Sequence, residues 1–384
     1  MRYHLLVVSS FFYLLSNQLV AQAQPADPES PFSFEASYVG DGFRNFSGGI
    51  QKGGTYLGMA NIGVTFNMEK AGFWKGGQFY INGSNTHGGR PSETYTGDFQ
   101  IVSNIEAGNL TYVHELWYRQ CFGKFSSIIG VQDLNAEFAS SVNSSLFLNS
   151  SFGVHSTIAN NIPSPIFPLT ALGWLFQYDF TGQLSGKVAI FDGLPEGYKH
   201  NTPNLSWTLD PNEGYLLVSE WAMSPFLPES LTGIFKLGAY YHNHYGRNNP
   251  ADALESLSHE NYGVYMVADQ TFFENDDGKK LSAFAQLAWS PSSKNTNFNY
   301  WGFGLNYQGL IIARSNDILG LALARAGFRS GVFSSETTIE LTYKVQLTEQ
   351  LYFQPDLQYI IHPAGTDMHL NNALSGIARF SFNF

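Results

Sequence analysis

Apolar and polar residues alternate along many stretches of this sequence, with the period of two that is typical of β-strands. The final segment, 374–384, shows the pattern most clearly. One of its faces carries Phe380, Phe382 and Phe384, whereas Arg379 lies on the other face. Two such different faces need two different environments, and an aromatic face that continues to the last residue suits contact with lipid.

The same alternation recurs in 56–66, 231–241, 337–345 and 351–361. A soluble β-sandwich is the alternative, but it would have to bury aromatic or charged faces in its core, whereas a water-filled lumen accepts charges. We count roughly sixteen or seventeen alternating segments, and single-chain bacterial barrels have an even number of strands. We therefore predict an all-β fold, a transmembrane antiparallel β-barrel of sixteen strands.

One long stretch, 137–170, lacks strand character. It is rich in Ser and Asn and then carries Pro163, Pro165 and Pro168. A connection of this length is unusual in a compact domain and commonly has a function. The sequence leaves two interpretations open: the loop folds into the lumen and narrows it, or it lies on the surface.

The N-terminus indicates export. Arg2 precedes an interrupted apolar run, Leu5–Val20, and Ala21-Gln22-Ala23 supplies a small-residue cleavage pattern. We predict a signal peptide over 1–23 and a single barrel domain over 24–384. An N-terminal membrane anchor is the alternative, but the run is too short to span a bilayer.

Composition narrows the class of protein. Only 13% of the residues are charged, whereas 16% are aromatic, which suits strands with one face in lipid. The formal net charge of −11 does not favour nucleic acid as a partner. Cys121 is the only cysteine, so an intrachain disulfide is excluded. The sequence also lacks a hydrolase or phosphate-loop motif, so we predict no enzyme activity, cofactor or metal.

Several short segments carry a family resemblance. They are, in chain order, Gly72-Phe73-Trp74-Lys75-Gly76-Gly77, Glu115-Leu116-Trp117-Tyr118, Asp133-Leu134-Asn135-Ala136-Glu137-Phe138, Ile166-Phe167-Pro168-Leu169-Thr170-Ala171-Leu172-Gly173 and Gln354-Pro355-Asp356-Leu357-Gln358-Tyr359-Ile360. Each is weak or moderate alone, but in this order they resemble the carbohydrate-selective porins of Gram-negative outer membranes. The resemblance covers most of the chain after 1–23. It implies an outer-membrane barrel with sugars as permeants, without naming the sugar.

Candidate path residues follow from the alternation. In 110–122, Glu115, Trp117 and Arg119 share one face, and the other face carries Tyr112, His114, Leu116 and Tyr118. If the second face meets lipid, the first offers an acid, an aromatic ring and a guanidinium to sugars; a purely structural Glu–Arg pair is the alternative. The further candidates for the lumen are Asp133, Lys236, Asp269, Glu340, Lys344, Asp356, Gln358 and Arg379.

Three functions are compatible with these patterns: a porin for carbohydrates and small hydrophilic solutes, a barrel enzyme, and a structural barrel without conductance. The first is the prediction, because no catalytic set stands out. The expected partners are sugars, outer-membrane lipid and the barrel assembly machinery. The terminal Phe384 resembles the signal that this machinery reads. A homotrimer is a further expectation.

Overall fold

The protein is represented by a computed structural model that describes residues 30–195, 197–198, 201–225, 231–243, 260–275, 277–311 and 313–384. Its strands pair in antiparallel fashion, each with its neighbours in sequence, and β1 pairs with β16 to close a barrel. The predicted sixteen-stranded all-β barrel is confirmed. The predicted signal peptide lies outside the described residues.

The strands are β1 Phe32–Gly49, β2 Gly53–Asn67, β3 Gly77–Gly88, β4 Leu110–Phe122, β5 Phe125–Gln132, β6 Ala171–Asp179, β7 Leu184–Asp192, β8 Tyr215–Met223, β9 Gly233–His242, β10 Asn261–Glu274, β11 Lys280–Trp289, β12 Asn297–Gln308, β13 Ile318–Phe328, β14 Ser335–Gln346, β15 Leu351–Ile361 and β16 Asn371–Asn383.

The two faces of the wall differ as the alternation predicts. Outward-facing apolar side chains are exposed, with Phe34 at 64% and Ile62 at 65%. Inward-facing polar side chains such as Glu340 and Gln286 are fully buried. The helices in the described part of the chain are all too short to cross a membrane. The exposed side chains of Phe34 and Ile62 lie on strands β1 and β2, as expected for a barrel wall that faces lipid.

The seam between β1 and β16 is closed by side chains as well as by the backbone. Arg379 lies directly opposite Asp41, and two of its guanidinium nitrogens donate to the two carboxylate oxygens at 2.7 Å. At the other end of the seam, the backbone N–H of Phe384 donates to the Ala36 carbonyl at 2.8 Å. Both sets of bonds leave no free sheet edge at this point.

The two ends of the barrel carry connections of different length. The turns at 123–124, 180–183 and 347–350 are short, whereas the connections 89–109, 133–170, 193–214 and 243–260 at the other end are long. Outer-membrane barrels have short periplasmic turns and longer extracellular loops. The end with the long connections is therefore the extracellular end.

Two of the long connections enter the barrel. The first inserted loop, 89–109, contains a single π-helical turn, Ser92–Thr96, and its Val102 and Ile105 pack with inward residues of β1 and β2. The second inserted loop, 133–170, contains the helices α1 Leu134–Glu137 and α2 Ser156–Ala159 and the 3₁₀ turns Ser144–Leu146 and Ser150–Phe152. Most of its apolar residues form one core cluster with inward residues of β5 to β13.

Candidate functional site inside the barrel

Buried carboxylates of the wall hold the second inserted loop. Glu340 accepts the backbone N–H groups of Leu148 at 2.5 Å and Asn149 at 3.0 Å. Asp269 accepts the N–H of Asn143 at 2.9 Å and the hydroxyl of Ser141 at 2.7 Å. A surrounding of low dielectric strengthens these hydrogen bonds, and a buried donor that lost its acceptor would be costly. Asp269 and Glu340 therefore face the lumen, as the sequence predicts, but they bind the loop.

The first inserted loop is held in the same way. Glu336 accepts the N–H groups of Phe99 at 2.7 Å and Gln100 at 2.9 Å. Arg379 donates to the side-chain oxygen of Asn104 at 2.8 Å, in addition to its contact with Asp41. The seam of the barrel and this loop are thus stabilised by one set of charged groups.

The remaining candidates on β14 and β15 divide into two kinds. Asp356 is buried and accepts a hydrogen bond from Gln358 at 3.1 Å. Lys344 is only half-buried, and its ammonium lies 4.2 Å from the centre of the Tyr352 ring. Among these side chains, the ammonium of Lys344 remains accessible from the lumen.

A chain of alternating charges joins the wall to the start of the second inserted loop. Arg119 contacts Glu137 at 2.9 Å, and Lys187 lies 3.6 Å from Glu137 and 3.7 Å from Glu220. Glu220 also accepts the N–H of Ala139 at 2.8 Å. Lys236 donates to the Ser140 carbonyl at 2.7 Å. Wall side chains of both charge signs therefore hold residues 137–143 of the second inserted loop.

An aromatic and cationic surface lies beside this chain, and we call Tyr80, Trp117 and Arg119 the platform. Tyr80 and Trp117 are opposite each other on β3 and β4, with ring centres 4.9 Å apart. The Arg119 guanidinium lies 5.3 Å from the centre of the Trp117 ring, within the range of a cation–π contact. All three side chains remain partly exposed, so the platform is open to the lumen.

Acceptors border the platform. The Tyr80 hydroxyl donates to Glu35 at 2.6 Å, and Asn82 donates to the same hydroxyl at 3.2 Å. Glu35 reaches Tyr80 across β2 because residue 63 is glycine; a Cβ there would lie 2.3 Å from the Glu35 carboxylate. Flat rings next to fixed donors and acceptors can contact both the C–H faces and the hydroxyls of a sugar.

Glu115 and Asp133 lie one step closer to the extracellular end. Glu115 accepts the N–H of Asp133 at 3.3 Å. Asp133 begins α1 by accepting the N–H of Asn135 at 2.8 Å, and it lies 3.4 Å from His114. Both carboxylates thus bind the entry of the second inserted loop.

Tyr112 and His114 do not lie on the outward face of β4 with Leu116 and Tyr118, although uninterrupted alternation would place them there. Asn82 pairs with Glu115, but Gly83 pairs with Val113, so His114 is an extra residue in β4. Such a β-bulge reverses the alternation on one side of it. Tyr112 is consequently 4% exposed and contacts Tyr198 of the loop 193–214, while Leu116 and Tyr118 keep the outward face. Glu115, Trp117 and Arg119 point inward together.

Sequence reasoning missed several residues of this site, namely Glu35, Tyr80, Asn82, Lys187, Glu220 and Glu336. A signal existed for Tyr80 and Asn82, because they alternate with the outward-facing Phe79 and Ile81. For Glu220 and Glu336, alternation predicts that the side chain points inward. It does not predict which loop each carboxyl group binds. Within the described ranges, no group of three or more acidic, His or Cys side chains is placed to bind a metal.

The first inserted loop contains a carboxyl group with an unusual pKa. Burial and the nearby Asp98 raise the pKa of Glu106 to about 8. The inserted state thus holds a proton that a detached loop, with a pKa near 4.5, releases. This contribution to stability is complete below pH 4.5 and is lost as the pH rises through 8.

We therefore expect hydrogen exchange over 89–109, normalised to the intrinsic rate, to accelerate at least threefold between pH 6 and pH 9. Glu106→Gln, which cannot ionise, should remove most of this dependence. Glu69→Gln is the control, because Glu69 is exposed in the connection between β2 and β3, away from the first inserted loop. Equal pH dependence in all three proteins would contradict the assignment to Glu106.

Comparison with known proteins agrees with this architecture. Residues 51–384 match the family described as carbohydrate-selective porin, OprB family. Porin B of Pseudomonas aeruginosa is 25% identical over 91% of this chain and 87% of its own length.

Solved structures share the fold. The high-pH structure of Pseudomonas putida OprB superimposes with a TM-score of 0.81 at 22% identity, over 92% of this chain and 94% of that one. A trimer form of OmpT from Vibrio cholerae gives a TM-score of 0.54 at 8% identity, over 92% and 99% of the two chains. The chain belongs to the OprB family of carbohydrate-selective porins, which are passive channels of the outer membrane and not enzymes.

Proposed function

We propose that small carbohydrates and other hydrophilic solutes diffuse through the part of the lumen next to β1–β5, and that sugars rest on the platform. The observation that carries this proposal is a difference in exposure around the wall. Inward residues of β8–β15 such as Glu220, Gln286 and Glu340 are buried under the inserted loops, whereas Tyr80, Trp117 and Arg119 stay partly exposed. The open part of the lumen therefore lies against the platform.

The second inserted loop is proposed to narrow this path. Its α1 carries Glu137, which is half-buried and contacts Arg119 of the platform at 2.9 Å. A charged pair at a narrow point acts on every passing solute. Arg119 can brace the loop through Glu137 and also contact a sugar, because one guanidinium has several N–H donors.

The proposal is tested by planar-bilayer recordings of the purified chain, with and without glucose or sucrose. We expect stable pores whose ion current falls with sugar concentration and saturates. The same sugars should swell liposomes that contain the protein. A folded barrel with neither conductance nor swelling would favour the structural alternative, and hydrolysis of the added sugar would favour an enzyme.

The C-terminal strand suggests a second experiment, which concerns assembly of the barrel. Phe384 is 62% exposed, and its backbone makes two hydrogen bonds with Ala36 across the seam. We propose that the barrel assembly machinery reads this terminal strand. Deleting Phe384 should lower the amount of heat-modifiable protein in the outer membrane at least threefold without blocking export. Phe384→Tyr, which keeps the aromatic ring, is the control; equal outer-membrane levels of the deletion and the parent would contradict the role.

Assembly of three copies is also a proposal, supported by the trimer form of the Vibrio cholerae neighbour. Native electrophoresis and light scattering in mild detergent measure it directly. A mass of three chains is expected, and a single-chain mass at high protein concentration would exclude it.

A further inference from the structure

An apolar groove runs diagonally over the outward face of β13–β16 and β1. Its volume is about 480 Å³. The floor is formed by Gly42, Gly376 and Ala378, and larger apolar side chains such as Phe46, Leu341 and Leu357 form the sides. The groove crosses four strand spacings, which corresponds to roughly 19 Å. One leaflet of the hydrocarbon core is about 15 Å thick, so this length suits an acyl tail within a single leaflet.

A cation lies at the extracellular end of the groove. Arg44 is exposed on the outward face of β1, twelve residues from the periplasmic start of the strand at Phe32. Its guanidinium makes no ion pair or hydrogen bond with the residues that the structure describes. Lys52 is also exposed, in the turn just before Gly53, which pairs with Asn45 next to Arg44. An unpaired arginine on a lipid-facing surface is unfavourable unless its head reaches an anionic group or water.

We propose that the groove binds a phosphorylated glycolipid of the outer leaflet, with an acyl tail on the apolar floor and a phosphate on Arg44. Charge complementarity identifies the anion, and the position of Arg44 near the long loops selects the outer leaflet. Lys52 is placed to contact the same headgroup. This site lies on the opposite face of the wall from the proposed sugar path and does not depend on it.

A second outward groove provides a comparison. It lies over β9–β14 and is larger, about 870 Å³, but its lining contains no charged residue. Lys280, at the nearby turn, is already paired with Glu274 at 3.3 Å. The larger groove offers apolar surface but no unpaired cation for a phosphate, so we do not assign a glycolipid to it. The combination of an acyl-sized groove with an unpaired cation is found at Arg44.

The test uses the full chain, folded in detergent, and native mass spectrometry with bis-phosphorylated lipid A as the probe. We expect the parent to retain one lipid A and to prefer it at least fivefold over the dephosphorylated form. Arg44→Gln should remove most of this preference. Ala378→Phe and Gly42→Val should reduce binding at least threefold by filling the floor. A Cβ at Gly42 has its nearest neighbour 3.8 Å away, so the larger side chain leaves the strand intact.

Arg325→Gln is the matched control. Arg325 is also an outward-facing arginine, but it lies outside the groove and 6.0 Å from the centre of the Trp301 ring, so its loss should leave lipid A binding unchanged. Heat-modifiable mobility verifies folding in each variant. Three results would overturn the proposal: unchanged binding in Arg44→Gln and the floor variants, equal displacement of lipid A by phosphatidylglycerol, or a dimer of chains that the floor variants dissociate.

Discussion

Glu340→Ala is expected to loosen the second inserted loop and to raise the single-channel conductance at least twofold. Glu340 is fully buried and accepts two backbone N–H groups of this loop, from Leu148 and Asn149. A hydrogen bond contributes about 0.5–1.5 kcal/mol, and a buried donor that loses its acceptor costs about 1–3 kcal/mol. The loop should therefore leave its position for part of the time, and the open cross-section should increase.

Conductance histograms and protection of residues 144–152 from hydrogen exchange measure this effect together. Glu274→Ala is the control, because Glu274 is an exposed carboxylate that pairs with Lys280. Glu340→Gln should give an intermediate result, since the amide retains one acceptor oxygen. Unchanged conductance and unchanged exchange in Glu340→Ala would show that the apolar packing of the loop holds it without this carboxylate.

Trp117→Ala is expected to weaken the block of current by sugars about fivefold. The ring of Trp117 forms the centre of the platform, between Tyr80 and Arg119. Aromatic contacts of this kind contribute on the order of 1 kcal/mol. The concentration of glucose that gives half-maximal block measures the change, and Trp117→Phe should restore part of the affinity.

Trp174→Ala separates this effect from a general weakening of the barrel. Trp174 faces outward on β6 and donates to Ser127 at 2.8 Å, so it is a tryptophan of the wall that lies away from the platform. We expect it to leave the sugar block unchanged. If both variants bind glucose as the parent does, the path does not pass over the platform.

The strands, and the face on which each residue lies, could be predicted. Alternate residues of a strand contact lipid and water, so they differ in polarity along the sequence. Arg379 and Glu340 point inward for this reason. The bulge at His114 could not be predicted, because one extra residue between hydrogen-bonded partners leaves no mark on composition. Uninterrupted alternation would consequently place Tyr112 on the wrong face.

The alternation of polar and apolar residues could not predict the position of the loops either. A segment without alternation, such as 137–170, carries no information about which side of a wall it follows. Alternation predicts that Asp269 and Glu340 point into the lumen, but most of the donors that they bind are backbone N–H groups, which every sequence possesses. The structure therefore adds loop attachment to their roles, and contact with solutes stays a prediction.

The attachment of the inserted loops has a consequence for protein engineering. Exchange of 133–170 for the corresponding loop of another porin is an obvious route to a new pore size. The native loop, however, shares its backbone donors with Glu220, Asp269 and Glu340 on three different strands. A grafted loop of another length would deprive these buried acids of their backbone donors, so a transplant should succeed only when the three wall positions are exchanged with it.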